Sequence, residues 1–175
     1  MPGWYDFEKL GGGVSIDLTP VGIPYFALSD DYLQVTVEEF LRNQDEPGIL
    51  RSRDYFNTII KEEVNKGVKP SRIVLGGFSQ GGAMALFTGI TNTQKIGGIF
   101  ALSSYLPLSD QVKDLIPEDC PNRQIPIFMA HGTADVVLKC DAGKKSADYL
   151  KELGHDVEFH TYPCVLLFFF RLAGF

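Results

Sequence analysis

The sequence predicts an α/β domain built on a mainly parallel sheet with helices on both faces. Three observations carry this expectation. Short apolar runs at 73–75, 96–102, 125–130 and 157–162 alternate with stretches of helical periodicity, the pattern of parallel strands joined by helical crossovers. The run Arg72 to Met84, RIVLGGFSQGGAM, reads as strand, sharp turn and helix with no spacer between them. At 175 residues and 45% apolar, the chain suits a single domain with a real core over 1–175.

The chain opens on an aromatic-rich segment, Met1-Pro2-Gly3-Trp4-Tyr5-Asp6-Phe7. From 11 to 41 its character changes. No Lys or Arg falls between Lys9 and Arg42, and Gly11-Gly12-Gly13, Pro20 and Pro24 interrupt any period. This stretch reads as an atypical insertion or surface loop with a short strand at 21–28, long for a compact domain. Asp45-Glu46-Pro47-Gly48 looks like a helix entry, with acidic groups near the positive end of the helix dipole. The helix expected over 49–66 places Ile49, Tyr55, Phe56, Ile59, Ile60 and Val64 on an approximate apolar stripe, and Gly67 ends it.

A strand at 73–75 then runs into Gly77-Phe78-Ser79-Gln80-Gly81, a G-x-S-x-G sequence. In that motif the serine sits in a strained turn, flanking glycines let the backbones cross, and the hydroxyl is lifted above the sheet edge. The N–H of Gln80 would lie at the start of the next helix, where the dipole favours an oxyanion. Ser79 is therefore a candidate nucleophile; the alternative is a structural turn in which its hydroxyl only caps the helix. The helix over 80–91 is apolar on most sides and should be buried.

After the strand at 96–102 come a loop, a short helix at 109–116, a polar connection and the strand at 125–130, which ends in His131-Gly132-Thr133-Ala134-Asp135. An amphipathic helix at 141–153 stops at Gly154, and 157–162 forms the last strand. Chemistry in such sheets gathers at the carboxyl ends of strands, and two of those ends carry Ser79 and Asp135. Asp135 could orient an imidazole, or merely cap its own loop. The order Ser then Asp matches the hydrolase arrangement.

The net charge of −6 is dispersed, which argues against a nucleic-acid partner. Cys120, Cys140 and Cys164 lack metal-binding or disulfide spacing and read as thiols in a reducing compartment; no metal or cofactor is expected. Residues 1–10 carry Asp6, Glu8 and Lys9 and lack the apolar core of a signal peptide, so a cytoplasmic location is expected. The run Val165 to Phe170 is too short to span a bilayer, which takes about 20 apolar residues.

From 45 to 162 the chain resembles the acyl-protein thioesterases of the lysophospholipase/carboxylesterase family, especially fungal ones. The residues carrying this are the opening MPGWYD, Asp45-Glu46-Pro47-Gly48-Ile49, Arg72 to Ala83, Ala101-Leu102-Ser103-Ser104-Tyr105-Leu106-Pro107-Leu108, and His131 to Asp135. The resemblance implies an α/β-hydrolase fold, Ser79 as nucleophile, Asp135 as the acid of the triad and the Gln80 amide as half of an oxyanion hole. The implied substrates are long-chain, typically palmitoyl, thioesters on protein cysteines, with lysophospholipids and small esters as secondary substrates. It also implies earlier strands and an oxyanion loop ahead of this chain's first residue. The family's histidine would follow Tyr162-Pro163, but Cys164 to Arg171 stands there with no histidine after it, so 163–175 reads as an atypical tail.

Three other histidines precede that point. His131 is expected to hold its loop, His155 to be solvated beyond Gly154, and His160 to lie within the last strand before the loop that should present a base. Without a base, a serine hydroxyl is a poor nucleophile.

Overall fold

The computed structural model describes residues 44–163. The atypical insertion, the short strand at 21–28 and the tail beyond Pro163 fall outside them.

Helix α1 spans Glu46–Asn65. It begins three residues before the expected start because Asp45 caps it, its Oδ1 accepting from the Gly48 N–H at 3.0 Å, with a proline in the first turn where no N–H is needed. Of the expected stripe, Ile49 and Ile60 are buried and Phe56 packs against the core, whereas Tyr55 and Ile59 stay exposed. The stripe is narrower than the apolar residues suggest, since α1 packs as an outer layer on one neighbouring helix.

Strand β1 covers Val74–Phe78 and helix α2 covers Gln80–Thr91. Every residue of α2 from Gly82 to Thr91 is buried, because the helix lies between the sheet and α1. Strand β2 (Gly98–Leu102), the single-turn helix α3 (Val112–Leu115), strand β3 (Ile127–Gly132), helix α4 (Cys140–Glu152) and strand β4 (Val157–Tyr162) follow. Gly154 takes φ 85°, the left-handed turn that releases the chain from α4.

The four strands are all parallel and stand in the order β1-β2-β3-β4. A sheet that grows in one direction through right-handed crossovers puts its helices on one side. Leu75, Ile99, Ala101, Ile127, Met129, Val157 and Phe159 face that side and build the core with α2 and α4. No described helix covers the opposite face, where Val74, Phe78, Phe100, Phe128 and Tyr162 remain exposed. The loop after β2 is buried more deeply than its position implies: Tyr105 and Leu106 are core residues. The Ser146 hydroxyl of α4 accepts from the Leu106 N–H at 2.9 Å and donates to the Ala142 carbonyl at 2.8 Å.

Candidate active site

The junction of β1 and α2 is strained at one residue. Ser79 adopts φ 52°, ψ −123°, in the positive-φ range that side chains rarely enter. Three hydrogen bonds hold it there. Its N–H donates to the Leu102 carbonyl of β2 at 2.9 Å, and its carbonyl accepts from the Ala83 N–H at 3.0 Å and from the Ser104 hydroxyl at 2.9 Å. The backbone is thus fully engaged while the side chain makes no capping bond to α2. The reading in which Ser79 merely caps the helix is excluded on that ground.

Two glycines make the crossing possible. A Cβ on Gly77 would fall on the Gly81 carbonyl group and within 2.7 Å of the Gly82 nitrogen. One on Gly82 would lie 2.8 Å from the Gly77 oxygen and 2.9 Å from Ser104 Oγ. These contacts are with backbone and a fixed side chain, so neither position tolerates a side chain without displacement. Gln80 is the first residue of α2 and stands at the positive end of its dipole.

The second strand end is built differently. Beyond β3 the chain is anchored by the Thr133 N–H to the Tyr162 carbonyl of β4 at 2.8 Å and by the Asp135 N–H to the Gly132 carbonyl at 3.3 Å. The Asp135 carboxylate is buried, and its Oδ1 accepts from the Val137 and Leu138 N–H groups at 3.0 Å each. Its Oδ2 is buried with no hydrogen-bond partner. Asp135 therefore does cap its loop, and it still keeps one carboxylate oxygen uncommitted. With β2 lying between β1 and β3, the two strand ends are two strand spacings apart, about 10 Å.

His131, at the end of β3, is buried, and its Nε2 lies 2.8 Å from the Leu138 carbonyl, closing the loop that carries Asp135. That Nε2 is 3.8 Å from Asp135 Oδ2, beyond hydrogen-bonding distance. Gly143 of α4 packs on the other ring nitrogen, where a Cβ would approach Nδ1 to 2.5 Å. His131 thus holds the loop, as the sequence suggested. His160 lies on the uncovered face of the sheet, its ring stacked on Phe128 at 5.3 Å between centroids. His155 is a correction: it is buried rather than solvated, with neither ring nitrogen in hydrogen-bonding geometry, the chain turning inward after the left-handed Gly154. Its N–H donates to the Leu150 carbonyl at 3.0 Å. None of the three histidines bonds to the Ser79 hydroxyl.

Burial raises the Cys140 thiol above its ordinary range, and the charges of Asp141 and Asp135 add to that. It stays protonated near neutral pH, which makes it a poor nucleophile. Cys120 is buried with its thiol against the Ile90 carbonyl, and both are free thiols. Among the described residues, no group of His, Cys, Asp or Glu side chains could hold a metal ion, and no helix is long and apolar enough to cross a membrane. Sequence reasoning missed the role of Ser104. Its place in the Ser103-Ser104 pair after β2 was visible, but not that its hydroxyl would hold the Ser79 carbonyl.

Comparisons with known proteins agree with this geometry. Residues 32–165 match the family described as Phospholipase/Carboxylesterase. The chain is 52% identical to acyl-protein thioesterase 1 of Aspergillus fumigatus over 164 residues and 51% identical to that of Emericella nidulans over 163. In both cases 93% of this chain is covered but only 59% of the relative. Among solved structures, Arabidopsis thaliana SOBER1 superposes with a TM-score of 0.63 at 31% identity, covering 67% of this chain and 55% of that one. Zea mays acyl-protein thioesterase 2 shares the fold, with a TM-score of 0.60 at 22% identity over 91% of this chain and 62% of that one. With its serine elbow, its parallel sheet and a family match over most of its length, the chain belongs to the phospholipase/carboxylesterase family of α/β-hydrolases.

Proposed function

We propose that the chain carries the nucleophile and acid of a serine hydrolase of the acyl-protein thioesterase type, acting on palmitoyl thioesters of protein cysteines. The observation that carries this is the Ser79 elbow, a strained backbone held by three hydrogen bonds with its hydroxyl left out of the helix cap. Ser79 Oγ attacks the acyl carbonyl carbon, the carbon–sulfur bond breaks, and the hydroxyl proton is passed to the departing sulfur, which leaves as the cysteine thiol. The Gln80 amide, at the positive end of α2, stabilises the oxyanion, and water then hydrolyses the acyl-enzyme. Asp135 supplies its free Oδ2 to orient and charge-stabilise an imidazole. The fungal relatives are acyl-protein thioesterases, which supports acylated proteins as the substrate class. S-acylated proteins are the partners in this reading and lysophospholipids secondary substrates, with no nucleic-acid partner and a cytoplasmic location.

A second reading has one observation in its favour. The chain's three histidines are committed elsewhere, to the β3 loop, to the buried turn after α4 and to the uncovered sheet face. In that reading the chain binds acyl groups without turning them over.

Labelling of the folded chain with a fluorophosphonate probe separates the two, with Ser79→Ala as control and circular dichroism to establish folding. Labelling that the substitution abolishes is the result expected of an activated serine. A folded chain that stays unlabelled overturns the hydrolase reading for this chain.

A further inference from the structure

Away from the elbow, a cavity of about 90 Å³ opens between α1 and the end of α2, lined by Asn57, Lys61, Thr91, Asn92, Thr93 and Gln94. Every lining residue is polar, and the volume is several times what one water needs. Thr91 closes the helix that Ser79 opens, so about 18 Å of helix separate the cavity from the candidate nucleophile. The cavity is therefore independent of the proposed chemistry.

Its floor is rigidly built. Asn122, wholly buried, sets its Nδ2 among the carbonyls of Gly89, Asn92 and Gln94 at 2.9, 3.1 and 2.9 Å, and its Oδ1 accepts from the Ile96 N–H at 3.0 Å. Asn92 is buried as well; its Oδ1 accepts from the Gln94 N–H at 2.6 Å and its Nδ2 donates to Asn57 Oδ1 at 2.7 Å. The Ile90 carbonyl takes the Cys120 thiol at 3.3 Å, and the Phe87 carbonyl takes the Thr91 hydroxyl at 2.7 Å. The carbonyl end of a helix repels anions. Here the Phe87, Gly89 and Ile90 carbonyls are already engaged by side-chain donors.

The groups left over differ in kind. Lys61 brings the lining's one charge, and no carboxylate among the described residues pairs with it. Asn57 has committed its Oδ1 and keeps the donors of its Nδ2. Gln94 Oε1 is buried with no hydrogen-bond partner, an acceptor whose burial costs stability until a donor reaches it. A cation, an amide donor and an orphaned acceptor suit an oxyanion that carries both negative charge and a proton.

We propose that this cavity binds inorganic phosphate. Hydrogen phosphate gives its charged oxygens to Lys61 Nζ and Asn57 Nδ2 and donates its remaining proton to Gln94 Oε1. Sulfate has the same shape and charge without that proton. A phosphate monoester loses its second proton with a pKa of about 6, so above neutral pH neither of them satisfies Gln94.

Isothermal titration calorimetry of the full chain, above neutral pH, tests the assignment. Inorganic phosphate is expected to bind saturably, with sulfate and phosphoserine each about tenfold weaker, the loss that one unsatisfied buried acceptor causes. Lys61→Met should weaken phosphate by about tenfold as well. Gln94→Met keeps the backbone bond from its own N–H to Asn92 and should bind phosphate and sulfate alike. Absence of saturable phosphate binding overturns the proposal, as does equal binding of the two anions by the parent chain, or a preference for phosphate that survives Gln94→Met. Tighter binding of phosphoserine than of phosphate would make the occupant an esterified group and overturn it too.

Discussion

The elbow after β1 and the loop after β3 present their polar groups from equivalent ends of parallel strands, yet they are built on opposite principles. At the elbow the backbone is strained and the side chain is free: Ser79 sits at positive φ, every backbone group is bonded, and the hydroxyl caps nothing. After β3 the side chain itself does the bonding: Asp135 Oδ1 accepts two backbone N–H groups, and only Oδ2 is left over. In the roles proposed for them, a nucleophile such as Ser79 needs an approachable oxygen, which the backbone geometry would enforce. An orienting acid such as Asp135 needs a fixed direction, which its own second oxygen would hold.

The comparison breaks most visibly at Gly77. Gly77→Ala drives a methyl into the backbone of Gly81 and Gly82, and is expected to cost about 3 kcal/mol in urea unfolding. A cost near zero would mean that the crossing is looser than the geometry requires. On the β3 side, Asp135→Ala removes the acceptor of two N–H groups and is expected to cost about 2 kcal/mol. Asp135→Asn, which keeps Oδ1, should cost less than half of that, measured from the same unfolding midpoints. Equal losses would mean that the charge, not the loop bonding, holds the segment.

The strain itself is the third test. Glycine takes positive φ freely, so Ser79→Gly should stabilise the chain by about 1 kcal/mol while Ser79→Ala leaves it unchanged. If both substitutions behave alike, the elbow stores no strain.

The smallest effect concerns the opposite end of the sheet, where the His155 ring is buried. Burial lowers the His155 pKa from 6.5 and the nearby Arg123 charge lowers it further, with the Asn122 backbone opposing. The folded state therefore holds the ring neutral, while the unfolded chain protonates it near the ordinary value. Stability from this group is complete above pH 6.5 and is lost as the pH falls from there towards the depressed folded value. The thermal midpoint should decline over that window in the parent chain and decline less in His155→Gln, measured by circular dichroism. Parallel pH profiles would sink the assignment.

Much of this was legible in the residues. The apolar runs alternating with helical patterns located all four strands, with β3 and β2 each displaced by about two residues, and α2 was anticipated at its observed limits, 80–91. Gly77, flanking the serine in its motif, signalled the crossing because only a missing Cβ permits it, whereas the part taken by Gly82 is read from the structure. The stripe on α1 was overdrawn at Tyr55 and Ile59, since periodicity reports which residues are apolar and not how wide the neighbouring surface is. His155 was misplaced because a left-handed turn can send the next residue inward or outward, and the surrounding packing decides which.

Local sequence by itself determined the parallel α/β class, the strained serine and the residues that could serve beside it, because each depends on backbone permissions and periodicities spanning a few positions. The tertiary structure alone decided that Ser104 holds the Ser79 carbonyl, that Asp135 keeps one oxygen uncommitted, and that one face of the sheet is left aromatic and uncovered by the described helices. Those facts depend on which distant strands and loops come to lie side by side, and no short-range pattern encodes that.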